Sequence, residues 1–282
     1  MGIFNGCLLA CDIDGTLISG EYLPERNVEM IKYFVSEGGA FSLSTGRTAA
    51  AISMITSKID CISPSVLGNG SVIYDFKKNA AIAESCLPGE ALLMAREVLR
   101  HCDMGMEFHS ASGLLVPSRS AASDLHEEYE SMKPVFLNLD TCLEARVNKI
   151  IYFIETKEQE EVLAAVSAKY ADKCTFYNTC AFIGGVKQNY LEQLPSGVSK
   201  AGALASLLKM LNIKKGGYFA IGDYYNDVPM VKAADIGAVT AEAPEDVKQA
   251  ADKVVGSAAD GAVADFIEYL KERFKNGQAN ET

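Results

Sequence analysis

An apolar segment that ends in paired acids constrains this chain more than any other part of its sequence. Residues 7–11 (Cys-Leu-Leu-Ala-Cys) lead directly into the run Asp12–Thr16 (Asp-Ile-Asp-Gly-Thr). This pattern predicts a buried parallel strand that delivers two carboxylates to its carboxyl end, where open α/β sheets bind ligands. Acids at a strand end often only cap a turn, but burying two of them without a compensating cation is costly. The run therefore indicates a metal, a covalent nucleophile, or both.

Size, charge and cysteine content limit the class of protein. The 282 residues, 49% of them hydrophobic, predict two domains or one domain with a large insertion. The net charge of −11 argues against binding nucleic acid or anionic membranes through the general field, so any phosphate must meet local positive charge. The apolar segment 3–11 is too short to span a bilayer and lacks signal-peptide features. Eight cysteines without zinc-ligand or C-x-x-C spacing fit reduced thiols of a cytoplasmic protein.

Strand and helix signals alternate in the first and last parts of the chain. The first part is predicted to contain, in order, strand 7–12, helix 25–37, strand 40–44, helix 48–57, strand 65–68 and a hairpin over 70–83. The last part is predicted to contain helix 199–211, strand 218–222, helix 226–234, strand 236–239, helix 244–250, strand 253–255 and helix 260–273. Alternation of this kind indicates βαβ units and a parallel sheet.

The middle of the chain has a different pattern. Helical patterns are separated there by short β-rich segments, with helices predicted at 88–101, 119–130 and 157–170 and strands at 149–154 and 174–177. This combination is typical of a separate α+β module. We therefore predict an α/β fold with a discontinuous Rossmann-like core over 1–83 and 194–282, a parallel sheet with helices on both faces, and an α+β cap domain inserted at 84–193.

Two further strand ends offer residues that suit a phosphoryl group. Residues 42–48 (Ser-Leu-Ser-Thr-Gly-Arg-Thr) provide hydroxyls, backbone N–H groups and the positive end of the predicted helix. Judged by this segment alone, a plain helix N-cap at Thr45 or Thr48 is the favoured interpretation. Lys200 follows Ser199 at a helix start, where its charge opposes the helix dipole unless an anion lies nearby, although surface lysines are common.

The segment 218–227 repeats the pattern of an apolar strand that ends in acids. Asp223 follows the predicted strand directly, and Asn226 and Asp227 come at the turn into the next helix. This spacing can bring both carboxylates toward one point, which suits a hard cation with oxygen ligands. Helix capping explains one of these residues more easily than all three.

As a set, these motifs closely resemble those of the haloacid dehalogenase-like phosphatases. The order Asp-x-Asp-Gly-Thr, Ser-Thr-Gly-Arg, Ser-Lys and Gly-Asp-x-x-Asn-Asp matches the Cof-type branch, which carries a large cap of the C2B type. The likeness covers nearly the whole predicted core, including segments at 67–70, 191–200, 243–252 and 260–263. The middle module matches only in position and general composition.

The resemblance implies roles for the matching residues. Asp12 would be the nucleophile that becomes an aspartyl-phosphate, and Asp14 would be the general acid and base. Thr45, Gly46 and Lys200 would bind the phosphoryl oxygens, and Lys200 would also relieve repulsion between the phosphate and Asp12. Such neutralisation is needed because phosphoryl transfer depends chiefly on positioning and charge stabilisation.

The same resemblance implies a Mg2+ site. Asp223 would bind Mg2+ together with the carboxylate of Asp12 and the backbone carbonyl of Asp14, and Asp227 would support the ion directly or through water. Three more residues are expected to support the site: Arg47, Asn69 and Asn226. For Arg47, contact with phosphate and pairing with an acid are equally consistent interpretations.

Two places depart from the family pattern. Tyr224 and Tyr225 occupy positions that are often small or acidic, and Glu242 stands where relatives often carry asparagine. These departures leave the acidity of the metal loop and the role of the 239–243 loop open. Four residues of the predicted cap are candidates for contact with the leaving group, although surface or pairing roles are favoured for each: His109, Arg119, Lys149 and Lys187.

The leading functional hypothesis is a Mg2+-dependent phosphatase for small phosphorylated metabolites, such as sugar phosphates or related monoesters. A cap would close over the substrate and exclude bulk water. A phosphomutase or phosphotransferase would use the same aspartyl-phosphate, and the sequence separates these alternatives poorly. A phospho-accepting regulatory or binding module is disfavoured, because Asp14 would shorten the lifetime of the phosphoryl group and such a module needs no cap. The physiological substrate and the oligomeric state stay open.

Overall fold

The chain divides into two compact units. The computed structural model describes residues 2–110, 113–129, 133–183 and 186–279. The first unit, called the core unit, comprises the described residues of Met1–Arg47, Ile52–Ile82 and Ser199–Thr282. The second, called the inserted unit, comprises those of Thr48–Ala51 and Ala83–Val198. The domain boundaries expected from the sequence stay a prediction, because compactness does not show that either unit folds alone.

The described residues form strands and helices that we number along the chain. The strands are β1 (Leu8–Cys11), β2 (Ala40–Leu43), β3 (Ser65–Leu67), β4 (Val72–Asp75), β5 (Ala80–Glu84), β6 (Met106–Ser110), β7 (Gly113–Ser118), β8 (Val135–Phe136), β9 (Lys149–Ile154), β10 (Cys174–Ile183), β11 (Val186–Pro195), β12 (Tyr218–Gly222), β13 (Ile236–Val239) and β14 (Lys253–Val254). The α-helices are α1 (Glu25–Ser36), α2 (Ser53–Lys58), α3 (Gly89–Leu99), α4 (Ala121–Tyr129), α5 (Leu139–Leu143), α6 (Lys157–Ser167), α7 (Lys200–Met210), α8 (Val228–Ala233), α9 (Glu245–Lys248) and α10 (Ala262–Ala279).

A five-stranded parallel sheet forms the centre of the core unit. Its strand order is β14-β13-β12-β1-β2, and Leu8 of β1 lies opposite Tyr218 of β12 on one side and Ala40 of β2 on the other. Every residue of β1 is buried, as expected for a strand covered on both faces. The chain order of the strands reverses beside β1, and such a switch point is where open α/β sheets bind ligands.

Helices cover both faces of this sheet. Neighbouring residues of a strand point to opposite faces, and in β12 they meet different helices. The Phe219 ring packs against Phe274 of α10, with 5.8 Å between ring centroids, whereas the Tyr218 hydroxyl donates to the carbonyl of Met230 in α8 at 3.2 Å. The predicted parallel sheet with helices on both faces is therefore confirmed.

The helix predicted at 48–57 is confirmed in its second half, and its predicted start is wrong. The structure has turns at residues 49–52, and α2 covers Ser53–Lys58. The backbone N–H of Ala51 donates to the Thr48 hydroxyl at 3.3 Å, a local side-chain interaction that competes with helical hydrogen bonding. The positive end of a helix therefore does not directly follow Thr45, and Thr45 is not a helix cap.

The inserted unit is an α+β structure built on a six-stranded sheet of order β10-β11-β9-β6-β7-β8. Its pairings are antiparallel except for β7 with β8. Alternate residues of β9 serve different clusters: Ile150 and Tyr152 belong to the main apolar cluster with α3 and α6. Ile151 and Phe153 pack with Ala122 of α4. Both sides of the central strand are thus buried.

Several elements of the inserted unit escaped sequence prediction. Strands β6, β7, β8 and β11 and the short helix α5 were not predicted. In β11 the buried positions include Gln188, Glu192 and Gln193, so burial does not follow an alternation of apolar and polar residues. Among the described residues, no helix combines the length and apolar character that crossing a membrane requires.

Candidate active site

Lys200 joins two acids at the carboxyl ends of β1 and β12. Its Nζ donates to Asp12 Oδ1 at 2.6 Å and to Asp227 Oδ1 at 2.7 Å. The three side chains are buried, and Lys200 is only 2% exposed. Asp12 is fixed in the sheet through its backbone N–H, which donates to the carbonyl of Ile221 at 3.0 Å. Lys200 begins α7, and Ser199 caps that helix by accepting the N–H of Gly202 at 3.1 Å.

A tight turn after β12 places Asp223 beside this pair. The second oxygen of Asp227 accepts the backbone N–H groups of Asp223 at 3.1 Å and Tyr224 at 3.2 Å, which fixes the turn. Asp223 Oδ1 accepts the Thr16 hydroxyl at 3.2 Å. Gly15 has a φ of +76°, and a Cβ there would stand 2.4 Å from Asp223 Oδ2. The Gly-Thr pair after the acids therefore lets Asp223 approach the end of β1.

This cluster holds more negative than positive charge. Burial and the neighbouring Asp227 raise the pKa of Asp12 well above its usual range, although Lys200 opposes the shift. Burial and Asp227 also raise the pKa of Asp223 to about 7. Burial alone would lower the pKa of Lys200, but the carboxylates of Asp12 and Asp227 outweigh it and raise that pKa. The cluster has three carboxylates and one ammonium, so the site favours a further cation.

The donor set fits Mg2+. Carboxylate oxygens of Asp12, Asp223 and Asp227 lie within 4.8 Å of one another, the one such group that could hold a metal among the described residues. Hard oxygen ligands with an excess of negative charge are what Mg2+ prefers in proteins. Both oxygens of Asp227 already accept hydrogen bonds. Asp12 and Asp223 are therefore better placed as direct ligands, with Asp227 holding Lys200 and the turn.

Asp14 lies at the edge of the cluster and pairs with Arg47. Arg47 Nε donates to Asp14 Oδ2 at 2.9 Å, and Arg47 Nη2 donates to Asp14 Oδ1 at 2.7 Å. Of the two interpretations of Arg47 that the sequence left open, the structure shows pairing with an acid. The Asp14 carboxylate is not part of the candidate metal group, and its predicted role as a ligand concerns its backbone carbonyl.

A loop beside β2 carries the predicted phosphate-binding residues. Thr45 is buried, and its hydroxyl accepts the backbone N–H of Arg47 at 3.1 Å. Asn69 donates its backbone N–H to the Thr45 carbonyl at 2.9 Å, and its amide stands 3.0 Å from where a Cβ on Gly46 would lie. A Cβ on Gly70, where φ is +107°, would meet the Ser199 carbonyl at 2.2 Å. Asn69 and Gly70 thus connect this loop with the start of α7.

The remaining predicted residues of the core unit surround the metal loop. Asn226 is half-buried in the turn before Asp227. Tyr224 and Tyr225 are exposed by 54% and 50%, and the Tyr225 hydroxyl donates to Asp246 Oδ1 at 3.1 Å. Glu242 accepts the backbone N–H of Ala258 at 3.4 Å. These contacts support the loops around the site without adding a carboxylate to the metal group.

The four candidates in the inserted unit have structural partners or lie in solvent. His109 Nε2 hydrogen-bonds with Glu107 at 3.0 Å, Lys149 Nζ donates to Glu192 at 3.1 Å, and Arg119 Nε donates to Asp124 at 2.7 Å. Lys187 is exposed on β11. Sequence reasoning did not single out Thr16 as a site residue, although the Gly-Thr pair after the acids was visible.

Comparison with known families decides the assignment. The family model of the haloacid dehalogenase-like hydrolases matches residues 9–267, which include every acid of the cluster and Lys200. The chain belongs to this family. The predicted Cof-type haloacid dehalogenase-like membership is thereby confirmed, and the protein is an enzyme of the hydrolase class.

The chain is similar along nearly its whole length to two relatives and to one solved structure. The 5-amino-6-(5-phospho-D-ribitylamino)uracil phosphatase YcsE of Bacillus subtilis is 25% identical over 93% of this chain and 94% of its own. The pyridoxal phosphate phosphatase YbhA of Escherichia coli is 22% identical over 92% and 97%. A haloacid dehalogenase-like hydrolase from Bacteroides thetaiotaomicron superposes with a TM-score of 0.82 and 23% identity, covering 94% of this chain and 99% of that one. At this identity, the structural likeness shows the fold.

Proposed function

We propose that the protein is a Mg2+-dependent phosphatase that hydrolyses small phosphorylated metabolites of the cytoplasm through an aspartyl-phosphate on Asp12. The observation that carries the proposal is the placement of Lys200 between Asp12 and Asp227, with Asp223 alongside, at the switch point of the parallel sheet. This arrangement pairs a nucleophilic carboxylate with fixed positive charge. The names of YcsE and YbhA as phosphatases support the same reaction class.

In the first step, an oxygen of Asp12 forms a bond to phosphorus while the bond from phosphorus to the leaving oxygen breaks. The electron pair of that bond stays on the leaving oxygen, which takes a proton from Asp14. Lys200, already within 2.6 Å of Asp12, reduces the repulsion between the carboxylate and the phosphate. The Thr45 hydroxyl and Gly46 lie in the loop that would hold the phosphoryl oxygens.

In the second step, water attacks phosphorus and passes a proton to Asp14, and the bond between phosphorus and Asp12 breaks. The products are inorganic phosphate and the regenerated carboxylate of Asp12, so atoms and charges balance. Bound Mg2+ would be held by Asp12, Asp223 and the Asp14 backbone carbonyl, and it would supply charge neutralisation for the phosphoryl group. Asp227 would support this set through Lys200 and the turn.

The substrate is proposed to be a small monoester, such as a sugar phosphate or a phosphorylated cofactor precursor. The two relatives carry names with different phosphorylated compounds, so similarity at this level supports the class of substrate and leaves the individual compound to experiment. A bulky phosphoprotein is disfavoured if the inserted unit acts as a cap that closes over the site.

The direct test compares the wild-type enzyme with Asp12→Asn in phosphate release from 4-nitrophenyl phosphate and from a panel of phosphorylated sugars, nucleotides and cofactors. We expect Mg2+-dependent release by the wild type and a loss of at least ~10³-fold in the variant, since the nucleophile is removed. Asp235→Asn is a matched control, because Asp235 accepts the N–H of Tyr218 at the opposite end of β12. Equal activity of Asp12→Asn and wild type, or no turnover of any compound, would refute the proposal.

A labelled substrate separates hydrolysis from transfer. With an added sugar acceptor, we expect labelled phosphate to appear as the inorganic ion. Recovery of the label on the acceptor would instead support a phosphomutase or phosphotransferase, and a long-lived label on Asp12 would support a phospho-accepting module.

A further inference from the structure

Asp14 has the most exposed side chain among the acids of the site, so burial does little to fix its orientation. Its side chain is 53% exposed, whereas that of Arg47 is 14% exposed. Two parallel hydrogen bonds join them, from Arg47 Nε to Oδ2 at 2.9 Å and from Arg47 Nη2 to Oδ1 at 2.7 Å. Without such a fork, a half-exposed aspartate has several staggered rotamers available. The guanidinium therefore selects one orientation of this carboxylate.

Arg47 is itself held in place by the loop it belongs to. Its backbone N–H donates to the Thr45 hydroxyl at 3.1 Å, and its carbonyl accepts the N–H of Gly68 at 3.2 Å. The loop is further tied to Asn69, whose N–H reaches the Thr45 carbonyl. A backbone anchored at both its N–H and its carbonyl gives the guanidinium a fixed base from which to orient Asp14.

The two hydrogen bonds from Arg47 affect how the Asp14 carboxylate can take up and release a proton. Each carboxylate oxygen accepts from a charged N–H, which is the arrangement of an ionised acid. When one oxygen of Asp14 carries a proton, it becomes a weaker acceptor, and the other oxygen can keep its full hydrogen bond to Arg47. The planar guanidinium of arginine can keep the carboxylate oriented while the proton moves, because its two N–H groups point in fixed directions. A lysine ammonium lacks this fixed pair of donors.

We propose that Arg47 is a positioning residue for proton transfer by Asp14, holding one carboxylate oxygen while the other carries the proton to the leaving group. The inference rests on the proposed phosphatase reaction. It differs from a role in binding the phosphoryl group, because an Arg47 that acts through Asp14 affects only those steps in which a proton moves.

The nature of the leaving group separates these two roles. Benzyl phosphate and 4-nitrophenyl phosphate present rings of similar size, but benzyl alkoxide leaves only with a proton, whereas nitrophenolate leaves without one. The quantity to compare is kcat/KM, which covers binding and departure of the leaving group and omits the later hydrolysis of the phosphoenzyme. For Arg47→Ala we expect a loss of ~100-fold with benzyl phosphate and less than ~3-fold with 4-nitrophenyl phosphate.

A double-mutant cycle with Asp14→Asn tests the route of the effect. If Arg47 acts through Asp14, Arg47→Ala causes no further loss with benzyl phosphate once Asp14→Asn is present. Arg47→Lys should lose nearly as much as Arg47→Ala, and it keeps the test usable if the alanine variant folds poorly. Arg26→Ala is the matched control, since it breaks another Arg–Asp pair of the core unit, with Asp265 at 2.8 Å, and should leave both rates unchanged.

Equal losses with the two esters, or additive losses in the cycle, would overturn the inference and assign Arg47 to phosphoryl binding. Unchanged or increased kcat/KM for benzyl phosphate would overturn it as well. Failure of the proposed function is distinguishable, because in that case Asp12→Asn would retain wild-type turnover of 4-nitrophenyl phosphate.

Discussion

Each unit of the molecule buries a cluster of charged or titratable side chains, and the two clusters differ in how their charge is balanced. The core cluster consists of Asp12, Lys200, Asp223 and Asp227. The inserted cluster consists of Glu107, His109 and His126. In the inserted cluster, one carboxylate accepts from two imidazoles at 3.0 Å each, so its charge is satisfied by the protein itself. In the core cluster, the one ammonium contacts two of the three carboxylates, and the third, Asp223, accepts the neutral Thr16 hydroxyl.

The pKa values of the carboxylates in the two clusters shift in opposite directions. Burial would raise the pKa of Glu107, but its hydrogen bonds to His109 and His126 outweigh burial and lower the pKa to about 2. For Asp12 and Asp223, burial and the neighbouring Asp227 raise the pKa. A buried ionisable group whose charge is not balanced by neighbouring protein groups marks a candidate functional site, because a bound ligand can supply the missing charge. The core cluster has that property, whereas in the inserted cluster the Glu107 carboxylate is compensated by its two histidines, and the unmatched atom is the neutral ring nitrogen Nδ1 of His109.

The largest expected effect follows from removing the single cation of the core cluster. Lys200→Met should lower kcat by at least ~100-fold and, in EDTA, reduce the free energy of unfolding by roughly 3 kcal/mol, because the buried carboxylates of Asp12 and Asp227 lose their partner. Urea unfolding and phosphate release measure both quantities. Lys209→Met on the same helix replaces an exposed lysine and should change neither, and equal effects of the two variants would contradict the comparison.

The next effect tests the need for an added cation. In EDTA, the pKa of Asp223 in the folded protein, about 7, lies above the ordinary aspartate value of 3.8. The folded protein therefore binds more protons between those values, and its stability falls as pH rises from about 4 to 7. Asp223→Asn should flatten this slope. Mg2+ at one hundred times its Kd should add ~2.7 kcal/mol to the wild type and much less to the variant.

Thermal unfolding across this pH range, with and without Mg2+, provides the measurement. A slope that persists unchanged in Asp223→Asn would assign the effect to other groups. An equal gain from Mg2+ in both proteins would place the ion elsewhere.

The smallest expected effect on activity concerns the inserted cluster, where the pH dependence of stability should reverse. The stabilisation from Glu107 is present above the ordinary glutamate pKa of 4.5 and is lost as pH falls toward 2. Glu107→Gln should therefore cost up to about 3 kcal/mol at pH 7, a difference that shrinks in acid and does not respond to Mg2+. Arg119→Ala, which breaks an exposed ion pair of the same unit, should cost less than ~1 kcal/mol. A Mg2+-dependent effect of Glu107→Gln would invalidate the distinction between the clusters.

The sequence predicted most reliably those strands whose apolar pattern follows directly from burial on both faces of the sheet. Strands β1 and β12 are continuous apolar runs because both faces of the parallel sheet are covered, and their terminal acids were visible directly. In β11, by contrast, Gln193 is buried because its amide donates to the Ala91 carbonyl and its oxygen accepts the Tyr152 hydroxyl. Those partners lie far away in the sequence, so the local pattern carried no strand signal.

The same limit applied near the site. The sequence predicted a helix from residue 48, and the structure has a turn held by the Thr48 hydroxyl. From the sequence, Arg47 could either contact phosphate or pair with an acid. Only the fold brings its guanidinium to Asp14.

By itself, the sequence determined the family, the parallel α/β core and the residue types of the site, because apolar strands followed by acids, hydroxyls and a lysine are legible from local order. Only the tertiary structure decided which charges meet. Asp12 and Lys200 are 188 positions apart in the chain, yet their side chains lie 2.6 Å apart. Pairing of buried charges depends on three-dimensional distance and burial, and these are properties of the packed sheet.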